Sequence, residues 1–394
     1  MATYSYKSLK NKYDDFHHPV IVLKVNGKDF AKNKAGLVVT DIEVELTSGF
    51  EASIASFTLY NTFDTDNSCY RINDIKAYIL LGSSVEIALG YEKEARVVFC
   101  GYISRVNFVY EEGDMPGIRV TAMDVKGAMM ANNYSKQLTA TTYGEAVREI
   151  LNKGPYMSMT NAQIIKQVVV TDTPDKPLVP PMPPMASDRT VEMVAESDYE
   201  FVVKAAKKYN YEFFTECGNV YFRPAKSTSE VVMAMGPGDG LRFFDVEYDI
   251  TGLVETVKAR STDVSKAKLI EAKQKMNNKI SIGNKAKKFI KSSEKVYLDA
   301  TITSKDEADQ RVKSLVEEIS YRFGTLECDC IGIPELLPGK FFELKSLGSP
   351  PENKFYLYRV VHRMNQEEGF TTKLYGKAAS IENSTLGGLV GGLI

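Results

Sequence analysis

The chain has 394 residues, 44% of them hydrophobic and 25% charged, with a formal net charge of −2 at pH 7. That length suits roughly two to four domains with substantial cores, and the charge excludes a whole-chain electrostatic nucleic-acid binder. No apolar run approaches the ~18 residues of a membrane span, and the polar start from Met1 to Phe16 lacks the apolar region of a secretory signal. Five scattered cysteines, Cys69, Cys100, Cys217, Cys328 and Cys330, fit reduced structural thiols better than a disulfide framework. Cys328-Asp329-Cys330 has no second Cys or His pair nearby, so it reads as strand, with no metal or other cofactor expected.

From Pro19 to Thr121 the pattern is mostly strand. Val20–Leu23 leads to Asn26-Gly27, a strong hairpin signal. Thr40–Leu46 alternates, with Ile42, Val44 and Leu46 on one face and Asp41, Glu43 and Glu45 on the other. Further strands are predicted at Ile54–Tyr60, Val85–Leu89, Val97–Asn107 and Ile118–Met123, with an ambiguous stretch from Asp66 to Leu80. Next comes a mixed block. Thr142-x-x-Glu145 has capping-box spacing ahead of a helix, and six prolines between Pro174 and Pro184 make an extended spacer. That spacer is a surface linker or a docking segment. Ser197-x-x-Glu200 caps a second helix with Phe201, Ala205 and Tyr209 on one face, followed by a hairpin turned at Gly218-Asn219. Strand returns from Phe243, interrupted between Val264 and Lys291 by nine lysines against one acid, Glu271. Ser304-x-x-Glu307 caps a helix with Ala308, Val312, Leu315, Ile319 and Phe323 in one stripe. Strands at Lys340–Leu344, Phe355–Asn365 and Phe370–Leu374 precede an apolar, glycine-rich tail, Leu386–Ile394.

Four short motifs recur in order. Asp41–Leu46 returns as Asp245–Ile250, Val85–Ile87 as Phe342–Leu344, Ile103–Asn107 as Val361–Asn365, and Glu111–Gly113 as Glu367–Gly369. Together they point to two copies of one β-domain separated by an insertion. Two like domains per chain supply six places in a ring of three chains.

Three segments carry a family resemblance: Ser197–Phe201 with Tyr209–Phe213, Gly332–Leu344, and Phe355–Met364 with Gly369–Leu374. In their order and spacing the chain resembles the late control protein D family of phage baseplate hubs, which includes hubs of contractile bacteriocins and injection systems. It is also similar to the N-terminal part of type six secretion spike proteins. The resemblance covers most of the chain. It implies a β-rich α+β fold with two tail-tube-like β-barrel domains, the internal duplication, and an inserted mixed α/β domain. The expected boundaries are 1–132, first barrel; 133–239, insertion with the Pro-rich loop 172–187; 240–382, second barrel with the Lys-rich insertion 264–291; and 383–394, tail.

The implied function is a structural baseplate hub, a homotrimer adapting the sixfold tail tube to a threefold spike. Its partners would be the tail tube protein, neighbouring baseplate proteins, the tape-measure protein and the spike. The chain ends at Ile394 without a spike-like continuation, so the spike is expected as a separate polypeptide. Synthesis in the bacterial cytoplasm and incorporation into a phage-tail-like particle follow.

An enzyme is not expected. The three histidines, His17, His18 and His362, form no catalytic or metal-binding motif, and HExxH, GxSxG and P-loop patterns are absent from the sequence. The alternatives are a cell-wall-degrading hydrolase, because carboxylate pairs are plentiful, and a polysaccharide-binding adaptor. Candidate channel-lining residues are Asp41, Glu43, Glu45, Asp245, Glu247 and Asp249. Candidate partner-docking residues are Lys266, Lys268, Lys273, Lys275, Lys285, Lys287 and Lys288, with Leu389, Val390, Leu393 and Ile394 in the tail. No specific nucleic acid is expected, because no aromatic residue interleaves these lysines before Phe289.

Overall fold

Strand alternation organises the chain, which a computed structural model describes for residues 2–33, 36–175, 191–263, 267–276 and 288–381. The first long strands are β1 (Pro19–Val25), β2 (Val38–Thr47), β3 (Ile54–Tyr60), β4 (Ser84–Tyr91), β5 (Glu94–Val109) and β6 (Gly117–Met123). Asn26 and Gly27 both have positive φ, 50° and 73°, the primed-turn geometry that suits strand twist, and return β1 to the short strand Lys28–Asp29. In β2, Ile42, Val44 and Leu46 are at most 2% exposed while Asp41 on the other face is exposed. Each such buried side chain stabilises the sheet by about 1.5–3 kcal/mol.

The insertion contains α1 (Tyr143–Leu151), β7 (Gln167–Val170), α2 (Asp198–Tyr209), β8 (Tyr211–Glu216) and β9 (Asn219–Pro224). Reciprocal capping boxes start both helices, Thr142 with Glu145 and Ser197 with Glu200. Asn210 ends α2 in the left-handed conformation. Phe201, Ala205, Phe213 and Phe222 share a core with Val147 and Ile150 of α1. Most of the Pro-rich loop lies outside the described residues.

The remainder comprises β10 (Val231–Met235), β11 (Leu241–Tyr248), β12 (Thr256–Asp263), β13 (Lys268–Lys275), β14 (Glu294–Leu298), α3 (Lys305–Ser320), β15 (Gly324–Ile331), β16 (Phe341–Leu344), β17 (Lys354–Asn365) and β18 (Gly369–Ala378). The lysine-rich stretch is not a bare excursion. Its strand β13 pairs with β12, β12 pairs with β14, and this three-stranded sheet packs on α3 through Val257, Ala259, Ala272, Ala308, Val312 and Ile319. Sequence pattern alone missed β13 because lysines surround its few apolar residues.

The main sheet has fourteen strands. Its first part runs β2-β3-β6-β5-β4-β1 and its second β11-β15-β18-β17-β16-β10, the same permutation of chain order. Corresponding neighbours are antiparallel in both, except that β1 meets β4 antiparallel and β10 meets β16 parallel. The two parts join where β2 pairs antiparallel with β17, Leu46 opposite Val360 and Ile42 opposite Met364. The sheet is open, where closed barrels were expected. The second edge of β2 is taken by β17, and the outer edge of β10 by Ala2–Tyr4, so neither part can close on itself. One apolar core runs through both, from Leu23, Ile42 and Phe57 to Cys328, Phe342 and Leu374.

Candidate functional site

The acids singled out on β2 sit at the junction of the two parts. Glu43 bonds Arg363 at 2.6 Å and Glu45 bonds Arg359 at 2.8 Å, both pairs partly exposed on the face away from the core. Asp41, at φ 50° in the β2 irregularity, accepts from the Thr40 hydroxyl at 2.8 Å. Of the carboxylates expected to stand bare on β2, Glu43 and Glu45 are therefore neutralised by arginines of β17. On β11, Asp245 and Glu247 are exposed and make no ion pair among the described residues. Asp249 lies just beyond β11, where bonds from the Thr251 backbone and side chain hold its carboxyl below the usual range.

The ladders also set which residues correspond. Ser56 lies opposite Glu43 and Thr121, and Glu327 lies opposite Asp245 and Tyr375. Thr121 in turn faces Arg105 next to a bulge, and Tyr375 faces Arg359 next to a bulge. Glu43 therefore corresponds to Asp245 and Glu45 to Glu247, two residues away from the motif alignment. Likewise Tyr102–Val106 corresponds to Tyr356–Val360, not Ile103–Asn107 to Val361–Asn365. Val85–Ile87 and Phe342–Leu344 occupy equivalent rungs beside Gly101 and Phe355.

Lys268, Lys273, Lys275 and Lys288 are exposed, with Lys275 bonded to Glu255 at 3.2 Å. Lys266, Lys285, Lys287, Leu389, Val390, Leu393 and Ile394 lie outside the described residues.

Buried polar groups form clusters that sequence reasoning did not find, because their members are far apart in the chain. Asp124 caps the turn after β6, accepting from the backbone of Ser53 at 2.9 Å and the Thr215 hydroxyl at 2.7 Å. Fully buried Lys126 donates to the carbonyls of Gly49 at 3.0 Å and Glu51 at 2.6 Å, and burial lowers its pKa. Together they fasten the insertion to the first part of the sheet. Glu212 accepts from Arg223 at 2.7 Å and from the Tyr356 hydroxyl; burial raises the carboxyl's pKa despite both bonds. Tyr13 and Lys12 both donate to Glu335, at 2.7 and 2.9 Å. His362 lies buried in β17, Nδ1 2.9 Å from the Thr372 hydroxyl, with its pKa pushed down to about 4 by burial. Cys328 and Cys330 point into the core, and burial pushes the Cys328 thiol up to about 12. These groups tie strands together, and Glu212 and Tyr356 also line an open cavity with Phe50, Lys226 and Arg359. Among the described residues no His/Cys/Asp/Glu group has metal-holding geometry, and no helix is long and apolar enough to cross a membrane.

Residues 21–366 match the family model described as the Alg8 N-terminal domain. The chain belongs to that family. No curated protein sequence matches it. Solved structures extend the comparison at the level of fold. A tail protein from Neisseria meningitidis MC58 is 14% identical with TM-score 0.65, the match covering 93% of this chain and 98% of that one. The 43 kDa tail protein of prophage MuSo2 from Shewanella oneidensis gives 14% and 0.65, covering 92% and 98%. The E. coli c3393 protein, a component of the type VI secretion system with structural similarity to bacteriophage T4 gp27 and gp5, gives 11% and 0.55, covering 92% and 79%. This member of the Alg8 N-terminal domain family thus has the fold of phage tail proteins.

Proposed function

We propose that the chain is the structural, non-catalytic hub of a phage-tail-like particle, of the late control protein D kind. In this reading three copies form a ring between a sixfold tube and a threefold spike, surrounded by other baseplate proteins. The observation that carries it is the repeated strand order of two sheet parts joined edge to edge at β2 and β17. Two copies of one domain fused in this way present similar surfaces twice per chain, which is what a threefold object needs to meet a sixfold one. The tail-protein fold supports the same setting. The outward face carrying Glu43, Glu45, Asp245 and Glu247 would line the central channel. Mass photometry of the purified chain and a reconstruction of the assembled particle tip test the reading, with three copies expected. One copy or six at the tip would overturn it, and sugar release from purified cell walls would overturn the non-catalytic part.

A further inference from the structure

The edges of β5 and β11 that are the counterparts of the two paired at the junction have no strand beside them among the described residues. β17 is bonded to β16 over Lys354–Tyr356 and then, on the same side, to β2 over Arg359–Met364. Its counterpart β5 is bonded to β4 as far as Tyr102, and Ile103 still exchanges bonds with Ser83 and Gly82. From Arg105 to Val109 that side of β5 has no strand beside it among the described residues. Likewise β11 pairs with β15 alone, whereas its counterpart β2 lies between β3 and β17.

Burial tells the same story independently. Ile42, Val44 and Leu46 of β2 are covered by β17, and Val360 and His362 of β17 are sealed in return. Their counterparts on β11, Phe244, Val246 and Tyr248, are only half-buried, and Phe108 of β5, the counterpart of His362, is 46% exposed. Tyr110 beside it is 67% exposed. Arg105 corresponds to Arg359, whose partner is Glu45, and Glu247 corresponds to Glu45; among the described residues neither Arg105 nor Glu247 has an ion-pair partner. An open apolar edge of this kind is a liability in a free monomer. The Tyr70 ring packs on Phe108 and its hydroxyl donates to the Val109 carbonyl at 2.8 Å, which holds the strand end extended.

We propose that the β5 edge, Arg105–Tyr110, of one copy of this chain pairs antiparallel with the β11 edge, Phe244–Asp249, of a second copy, repeating between chains the β2–β17 junction made within each. The occupant is a second copy because both halves of the junction are present in one chain at opposite ends of the sheet, so the contact is heterologous and propagates until a ring closes. Carrying the junction's register across places Val106 opposite Tyr248, Asn107 opposite Glu247, Phe108 opposite Val246 and Val109 opposite Asp245. Arg105 then reaches Glu247 diagonally, as Arg359 reaches Glu45. The seam rests on the trimeric-hub reading for the number of copies, but its register does not.

Disulfide trapping tests the register in the full chain with the exposed Cys69 replaced (Cys69→Ser). Asn107→Cys with Glu247→Cys forms a non-hydrogen-bonded pair, Cα atoms about 4.5 Å apart, within disulfide reach. Asn107→Cys with Phe243→Cys is displaced by four residues, about 13 Å, and cannot close. Mild oxidation is expected to link chains covalently in the first variant and not the second. Val361→Cys with Glu45→Cys, adjacent within the chain, checks that such a rung closes. Arg105→Glu should loosen self-association by at least about tenfold, and adding Glu247→Arg should restore it; both sites are exposed, so folding is not at stake. Trimers that form without the matched cross-link, or that survive Arg105→Glu unchanged, overturn the seam and leave the hub standing. A chain that stays monomeric and uncross-linked at high concentration overturns both.

Discussion

Acid should destabilise this fold in a window that belongs to one histidine. His362 is fully buried in β17, its ring 5.9 Å from that of Phe370, and Nδ1 meets the Thr372 hydroxyl. Burial lowers its pKa to about 4, against ~6.5 in the unfolded chain. Below pH 6.5 the unfolded chain takes up a proton that the folded chain refuses, so stability falls as pH drops and the loss is complete near pH 4. The proton costs about 3 kcal/mol across that interval. Urea unfolding followed by far-UV circular dichroism at pH 7.5, 6, 5 and 4.5 reads the loss. His362→Asn keeps a donor near Thr372 but cannot charge. It should be less stable at pH 7.5 yet show a flatter pH dependence, and the difference between the two profiles cancels every group they share. Parallel profiles for the two proteins would refute the assignment.

Lys126→Ala should cost about 3–5 kcal/mol in the same assay, because it leaves the Gly49 and Glu51 carbonyls unsatisfied and a cavity against Phe213. Lys126→Met fills the space and should cost roughly half as much. Ser197→Ala removes one arm of the α2 capping box and should cost about 1 kcal/mol with no change in self-association measured by mass photometry. Replacing Lys268, Lys273, Lys275 and Lys288 by Gln should leave the thermal midpoint unchanged while reducing incorporation into particles in a pull-down of assembled baseplates. Unchanged incorporation would reduce these lysines to a solvated face.

Local pattern carried the reading furthest where one strand or helix decides its own state. The alternation of Thr40–Leu46, the caps at Thr142, Ser197 and Ser304, and the stripe from Ala308 to Ile319 are properties of a few neighbouring residues, and each appears in the fold, although the helix ends at Ser320, before Phe323. Partner choice is different. Nothing near Glu43 indicates Arg363, 320 residues away, and nothing near Tyr13 indicates Glu335. The β12–β14 pairing is parallel and spans the lysine-rich segment, so neither strand has a hairpin turn to announce it. The strand order repeats, but the four motifs do not align in its register. Alternating strands look the same when slid by two, and only the bulges beside Arg105 and Arg359 set the correspondence.

The charge pattern on the outward face follows from that register. Glu327 on β15 bonds Lys373 on β18 at 2.5 Å, and on the adjoining β17 and β2 Arg359 meets Glu45 and Arg363 meets Glu43. Two acidic strands, β15 and β2, thus flank two basic ones, β18 and β17, each acid paired with the cation beside it. Exposed pairs of this kind contribute little stability each, roughly 0.2–1 kcal/mol. A slip by one residue, however, would turn the whole set toward the apolar core and bring Ile42, Val44 and Leu46 to the surface, which makes the slipped ladder far costlier than the correct one gains. The pairs therefore act mainly as a register code. Among the described residues, Asp245 and Glu247 on β11 are acids of the same kind without a cation, and Arg105 on β5 is a cation without an acid. If the outward face lines a channel, a wall built this way carries paired, nearly balanced charge rather than the all-acid surface that the sequence pattern predicts. Polymers of either sign would then meet hydrated ion pairs and no net field, which limits sticking without excluding one class of cargo.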